Sequence, residues 1–169
     1  MHYTSLRALS VLLLATGGLL PFASLAAGTL TIPGKVSFEK GAHVPDAVRA
    51  ECGLEKKVPE LMRDALGKKF DKVILAPAVS AKTPGKAMSL SISHVLAPGG
   101  GPWSGPKSLG VTGILWENGK LVGNFRAARG TTRGHGTCGM LERDAKEIAD
   151  DIAKWLDAPS KDAKLGDAK

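Results

Sequence analysis

The sequence from residue 108 to residue 156 decides the fold: SLGVTGILWENGKLVGNFRAARGTTRGHGTCGMLERDAKEIADDIAKWL. Two apolar-rich segments flank Asn118-Gly119. Both of these residues accept a positive φ, so the pair predicts a type I′ turn and a β-hairpin. A glycine- and arginine-rich loop follows, and residues 138–156 predict an amphipathic helix with Thr137 as its N-cap. The apolar stripe of this helix comprises Leu141, Ala145, Ile148, Ala149, Ile152, Trp155 and Leu156.

The first part of the chain predicts one strand and a second amphipathic helix. Residues 28–38 are strand-like, but Pro33-Gly34 interrupts them, so they form either an edge strand or a bulged strand. Residues 54–70 carry apolar side chains at helical spacing. Pro59 lies inside this pattern, so the helix either contains a proline or starts only one residue before it.

Two further strands complete the pattern. Residues 72–77 predict a short buried strand. Residues 86–96 alternate between apolar and polar side chains, which places Met88, Leu90, Ile92, His94 and Leu96 on one face. The element order is therefore β-α-β-β-β-β-α. Because neither helix can bury its apolar stripe alone, we expect an α+β fold, an antiparallel sheet of about four to five strands with two helices packed on one face.

The chain predicts a single α+β domain at residues 28–156, which suits the size of one hydrophobic core. Residues 157–169 are rich in Lys, Asp and Ala without periodicity, and they predict a flexible C-terminal tail.

Residues 1–27 predict a signal peptide. Arg7 supplies the positive charge at its start, and residues 8–20 form an apolar run that is too short to span a membrane. Small residues precede an expected cleavage site after Ala26 or Ala27; the alternative is an uncleaved anchor. No long apolar run follows, so the mature chain is expected to lack a transmembrane segment and to be periplasmic or secreted.

The two cysteines of the mature chain are Cys52 and Cys138. An even number of cysteines in an oxidising compartment predicts one disulfide between them, which would staple the starts of the two helices. Closure of such a long loop is worth roughly 4 kcal/mol on chain-entropy arguments. The alternative is a pair of buried free thiols.

The chain is basic, with a formal net charge of +7. Such a surface favours anionic partners, for example phosphorylated lipid headgroups, anionic glycans or nucleic acid. Aromatic residues make up only 5% of the chain. Because single-strand binding needs aromatic stacking platforms, no specific nucleic acid is expected as a partner.

The loop after the hairpin is the strongest candidate for a ligand site. Free backbone N–H groups, a helix N-terminus and guanidinium groups together favour an anion. The predicted phosphate- or carboxylate-binding residues are Arg126, Arg129, Arg133, Gly134 and Gly136. The alternative is a solvated linker whose glycines permit a sharp turn.

The sequence contains incomplete patterns for a metal site and for a catalytic site. His135 and Cys138 have the spacing of two metal ligands, but a structural zinc site needs four, so no metal or cofactor is predicted. Cys138 at a helix start beside His135 also resembles the nucleophile of a thiol hydrolase. Such an enzyme needs a base later in the chain, and no histidine follows His135. His94 is expected to be a hydrogen-bonded residue at the rim of its strand face.

The segment LGVTGILWENGKLVGNFRAARG, the glycine-rich turn after it and the segment ERDAKEIADDIAKWL resemble small uncharacterised bacterial envelope domains. These are the DUF4410-like domains and the penicillin-binding-protein-activator lipoproteins. The resemblance covers residues 54–156 and implies a fold class and an envelope setting, but no activity. This chain lacks their lipid-attachment cysteine.

The function predicted from these features is a non-enzymatic, secreted or periplasmic binding or accessory domain that engages an anionic envelope component. The alternative is a small cell-wall hydrolase of cysteine type that uses Cys138 and His135. A third possibility is a structural subunit whose sheet edge, at the Pro33-Gly34 strand, accepts a strand from a partner. The oligomeric state is not predicted.

Overall fold

The strands form one mixed sheet, and the helices cover one of its sides. The computed structural model describes residues 28–98 and 105–169, so the predicted signal peptide, residues 1–27, lies outside the described residues. In chain order the elements are β1 (Thr29–Pro33), β2 (Ser37–Phe38), α1 (Asp46–Glu51), α2 (Leu54–Leu66), β3 (Lys72–Ala76), β4 (Lys86–Leu96), β5 (Lys107–Glu117), β6 (Lys120–Thr131), α3 (Thr137–Trp155) and β7 (Ala163–Gly166).

The α+β fold class is confirmed. The strand order is β3-β1-β4-β5-β6-β7, and β2 pairs with β4 beyond the end of β1. The pairs β4–β5 and β5–β6 are antiparallel, whereas the outer pairs are parallel. The helices α2 and α3 contact each other and pack on the same side of the sheet, as their apolar stripes require. The opposite side carries no helix among the described residues, and we call it the open face.

The hairpin forms where the sequence predicts it. Asn118 and Gly119 have φ values of 51° and 81°, and Glu117 pairs with Lys120 across the turn. The glycines of the hairpin allow close packing. A Cβ built on Gly123 would lie 2.8 Å from the Trp155 ring of α3, so the helix approaches the sheet directly at this point.

Helix α2 begins at Leu54 and continues through Pro59. Proline has no N–H, so it leaves the carbonyl group of Glu55, four residues earlier, without its usual partner. The backbone N–H of Val36 donates to this carbonyl oxygen at 2.8 Å. The segment between β1 and β2 therefore replaces the hydrogen bond that the proline removes. The helix can for this reason begin at Leu54, before the proline.

The first predicted strand is divided by Pro33-Gly34 into β1 and β2. The prediction of an edge position is wrong for β1, because β1 lies between β3 and β4. Pro33 is the last residue of β1, where the strand ends and its missing N–H disrupts no long ladder. The sheet edges lie at β3 and β7, and the short strand β2 pairs on one side only, with β4.

Strand β4 departs from simple alternation near its end. Its register against β5 shifts between Ile92 and His94, as in a β-bulge. As a result Val95 is buried and His94 is exposed, the reverse of the predicted alternation for these two residues. His94 lies on the rim, and its Nε2 atom is 3.0 Å from the hydroxyl oxygen of Ser108.

The start of α3 also differs from the prediction. Gly136, with a φ of 71°, is the N-cap residue, and Thr137 is the first residue of the helix. No side chain caps this helix end.

The structure differs from the prediction of a flexible tail at residues 157–169. Residues 163–166 form β7, which pairs in parallel with β6 from Phe125 to Ala128. Ala163 and Leu165 pack against the core, and this two-residue spacing is that of a strand. Within the described residues, no helix is both long enough and apolar enough to cross a membrane.

Candidate binding surface

The predicted disulfide is confirmed: Cys52 and Cys138 are bonded, with their Cα atoms 5.1 Å apart. It ties the residue that follows α1 to the first turn of α3. Since the sequence has no other cysteine, no free thiol remains in this state, and Cys138 does not offer the nucleophile that a cysteine hydrolase needs. Within residues 28–98 and 105–169, no three His, Cys, Asp or Glu side chains lie together as a potential metal site.

The structure does not gather the five predicted anion-binding residues at one point. Arg126 and Arg129 are three residues apart on β6, so their side chains leave opposite faces of the sheet. Arg133, Gly134 and Gly136 lie further along, in the exposed loop before α3. The predicted site is thus divided among the open face, the helix-covered face and the loop.

Arg129 is already paired with carboxylates. Its Nε atom donates to Asp151 Oδ2 at 2.7 Å, and its Nη2 atom donates to Asp151 Oδ1 at 2.9 Å. Its Nη1 atom lies 3.8 Å from Asp167 Oδ1. The hydrogen-bonded Asp151 raises the pKa of the guanidinium above its ordinary value. Arg129 therefore ties β6 to α3 and β7, which is a structural role.

Arg126, in contrast, is exposed on the open face. It makes no hydrogen bond or ion pair with any described residue. Lys164 of β7 is its register partner across the parallel pair, which brings a second exposed cation to the same edge of the sheet. The open face thus offers positive charge that the protein itself does not neutralise.

A shallow cavity of about 670 Å³ covers the middle of the open face. Hydroxyl, amide and charged side chains line it, and Ile114, which is 40% exposed, adds apolar surface. The lining includes Glu39, Ser89, Ser91, Ser93, Thr112, Asn124 and Arg126.

Three of these side chains form a hydrogen-bonded group, which we call the Glu39 cluster: Glu39, Ser91 and Thr112. The Ser91 hydroxyl donates to Glu39 Oε1 at 2.8 Å, and the Thr112 hydroxyl donates to the same oxygen. The two hydroxyl oxygens are 2.8 Å apart. Ser91 and Thr112 are register partners on β4 and β5, and Glu39 directly follows β2.

A second cavity of about 560 Å³ adjoins the first at Arg126. Its floor contains the small residues Gly110 and Ala128, and His94 and Ser108 form part of its wall. Arg126, which is exposed, therefore lines both cavities.

A buried carboxyl group lies away from these cavities. Asp144 of α3 is 0% exposed; its Oδ1 atom accepts a hydrogen bond from the Thr131 hydroxyl at 2.5 Å, and its Oδ2 atom has no hydrogen-bond partner. Burial raises the pKa of Asp144 from 3.8 to about 6, and the hydrogen bond from Thr131 opposes this change.

Sequence reasoning missed the Glu39 cluster. The alternating serines of β4 indicated a polar strand face, but Glu39 lies more than fifty residues away in a segment with loop composition. Only the pairing of β2 with β4 brings this carboxylate to the serines. No local pattern contains that information.

No family model and no curated protein matches this chain. A variant of the PelC dodecamer from Paraburkholderia phytofirmans has a similar fold, with a TM-score of 0.50 and 14% identity over 74% of this chain and 88% of that chain. The hypothetical protein CT253 from Chlamydia trachomatis gives a TM-score of 0.48 at 9% identity, over 78% of this chain and 99% of that chain. The similarity to PelC concerns the fold alone.

Proposed function

We propose that this chain is a non-enzymatic binding domain of the bacterial cell envelope, periplasmic or secreted, that engages an anionic envelope component through its open face. One observation carries the proposal: Arg126 is exposed between two cavities and has no ion-pair partner among the described residues. The disulfide supports an oxidising compartment, and the resemblance to envelope domains agrees with that setting.

Arg126 has the chemistry that this role requires. A guanidinium presents five N–H donors in a fork that fits carboxylate, phosphate or sulfate groups. Arg129 does not offer such a site, because its donors already bind Asp151 and a ligand would have to break this ion pair. Arg126 lies on β6, which pairs with a strand on each side; this pairing holds its backbone rigidly, which lowers the entropy cost of binding.

The test uses polyglutamate as a simple anionic probe. Fluorescence anisotropy measures its affinity for wild-type protein, for Arg126→Gln and for Lys146→Gln, an exposed cation on α3 that serves as the control. Loss of a charge-assisted contact at Arg126 is expected to weaken binding by about tenfold at low salt. The Lys146 variant is expected to match wild type.

Equal losses in the two variants would mean that only net charge matters. Unchanged affinity of the Arg126 variant would contradict the proposal directly.

A further inference from the structure

The Glu39 cluster has spare hydrogen-bond acceptors and no spare donors. A carboxylate only accepts, and each hydroxyl has one proton to donate. Those two protons are used inside the cluster, in the contacts among Glu39, Ser91 and Thr112. Glu39 Oε2 makes no hydrogen bond with a described residue. A ligand that fills this part of the cavity must therefore supply hydrogen-bond donors.

The open face limits what kind of donor fits. An ammonium group would satisfy Glu39, but Arg126 and Lys164 lie on the same face and repel cations. Neutral hydroxyl groups donate hydrogen bonds without that repulsion. Ile114, in the same cavity, offers apolar surface for C–H groups.

The two halves of the cavity are close enough for one small ligand. Thr112 pairs with Ser91 on one side and with Arg126 on the other, so the cluster and the guanidinium arise from three adjacent strands. With neighbouring strands about 4.8 Å apart, the side chains are separated by roughly 5–10 Å. The cavity that joins them has a volume of about 670 Å³, which lies in the usual range for small-ligand sites.

We infer that the anionic component is an acidic glycan, with sugar hydroxyls bound at the Glu39 cluster and the acidic group bound at Arg126. This inference rests on the proposed function and names the chemistry of its ligand. The carboxylate of Glu39 sets the orientation of the bound glycan, because it repels the acidic group of the glycan and thereby favours its binding at Arg126.

The experiment compares three probes on the full chain by isothermal titration calorimetry. Polygalacturonate carries hydroxyls and carboxylates, polyglutamate carries carboxylates without hydroxyls, and dextran carries hydroxyls without charge. Wild-type protein is expected to bind polygalacturonate at least about tenfold more tightly than either other probe at matched monomer concentration.

The diagnostic variant is Thr112→Val, which removes one hydroxyl at nearly constant shape. It is expected to weaken polygalacturonate binding by about three- to tenfold and to leave polyglutamate binding unchanged. Thr31→Val is the control, because Thr31 is a half-buried strand threonine outside the cavity. Ser91→Ala repeats the test within the same cluster, and unchanged far-ultraviolet circular dichroism verifies that each variant is folded.

The outcomes separate the two proposals. If Arg126→Gln weakens polyglutamate binding but both cluster variants bind polygalacturonate as wild type does, the anion site stands and the glycan inference is overturned. If Arg126→Gln changes nothing with any probe, the proposed function itself fails.

Discussion

Replacement of Asp144 by Asn is expected to remove a pH dependence of stability that a single buried carboxyl group imposes. Asp144 is fully buried, and only one of its oxygens is hydrogen-bonded, by Thr131. An asparagine keeps a carbonyl oxygen for the Thr131 hydroxyl and cannot ionise. The variant therefore leaves the local packing in place and removes the buried charge.

The magnitude follows from the pKa shift. Between pH 3.8 and about 6 the folded protein holds the Asp144 proton and the unfolded chain does not, so the stability of the wild type falls as the pH rises through this window. A shift of about two pKa units, at 1.36 kcal/mol each, corresponds to about 3 kcal/mol above pH 6. The stability gained by Asp144→Asn is expected to increase with pH by about this amount.

Urea unfolding from about pH 4 to about pH 7.5 measures the difference between the two proteins. Other carboxylates titrate in both proteins and cancel in this difference. The matched control is Asp150→Asn, which removes an exposed carboxylate from the same helix. Parallel pH profiles for wild type and Asp144→Asn would refute the reasoning, because the buried carboxyl would then not be the titrating group.

Three further outcomes are expected. Gly123→Ala should destabilise the fold by about 1–3 kcal/mol in chemical denaturation, since its Cβ would lie 2.8 Å from the Trp155 ring of α3 and 2.6 Å from the Ser160 carbonyl oxygen. Wild-type stability of this variant would contradict the close packing at Gly123. Reduction of Cys52–Cys138 should lower the free energy of unfolding by up to about 4 kcal/mol, and a double Ser variant should be insensitive to reductant. A double-mutant cycle of Arg129→Met with Asp151→Asn should give a coupling of about 1–3 kcal/mol, whereas a coupling near zero would show that the pair is not formed.

The parts of the fold with local patterns were predictable. Asn118-Gly119 specifies its turn through backbone preference, and the stripe of α3 specifies its buried side. The exceptions are bulges: one additional residue in β4 exposes His94, and alternation alone does not reveal where such a residue is inserted. Strand β7 was missed because its few residues have no strong β-propensity and gain their order from pairing with β6.

The site was less predictable because it depends on register and on distant pairing. The sequence pointed to the arginines of β6 as candidate ligand residues. Because side chains alternate along a strand, Arg126 lies on the open face, whereas Arg129 lies on the other face and binds Asp151 of α3. The buried carboxyl was detectable: Asp144 lies three residues after Leu141 and four before Ile148, on the apolar stripe. A polar residue at such a position indicates an unusual environment.

The disulfide has a mechanical consequence. It spans 86 residues of sequence, from Cys52 to Cys138, and this span contains α2 and the strands β3 to β6. When the protein is stretched from its ends, only the outer segments can lengthen while the bond is intact. At about 3.5 Å per extended residue, reduction would release roughly 300 Å of additional contour length over those 86 residues. Under tension, the oxidised domain therefore extends much less than the reduced domain, because the disulfide keeps the segment between the two cysteines closed.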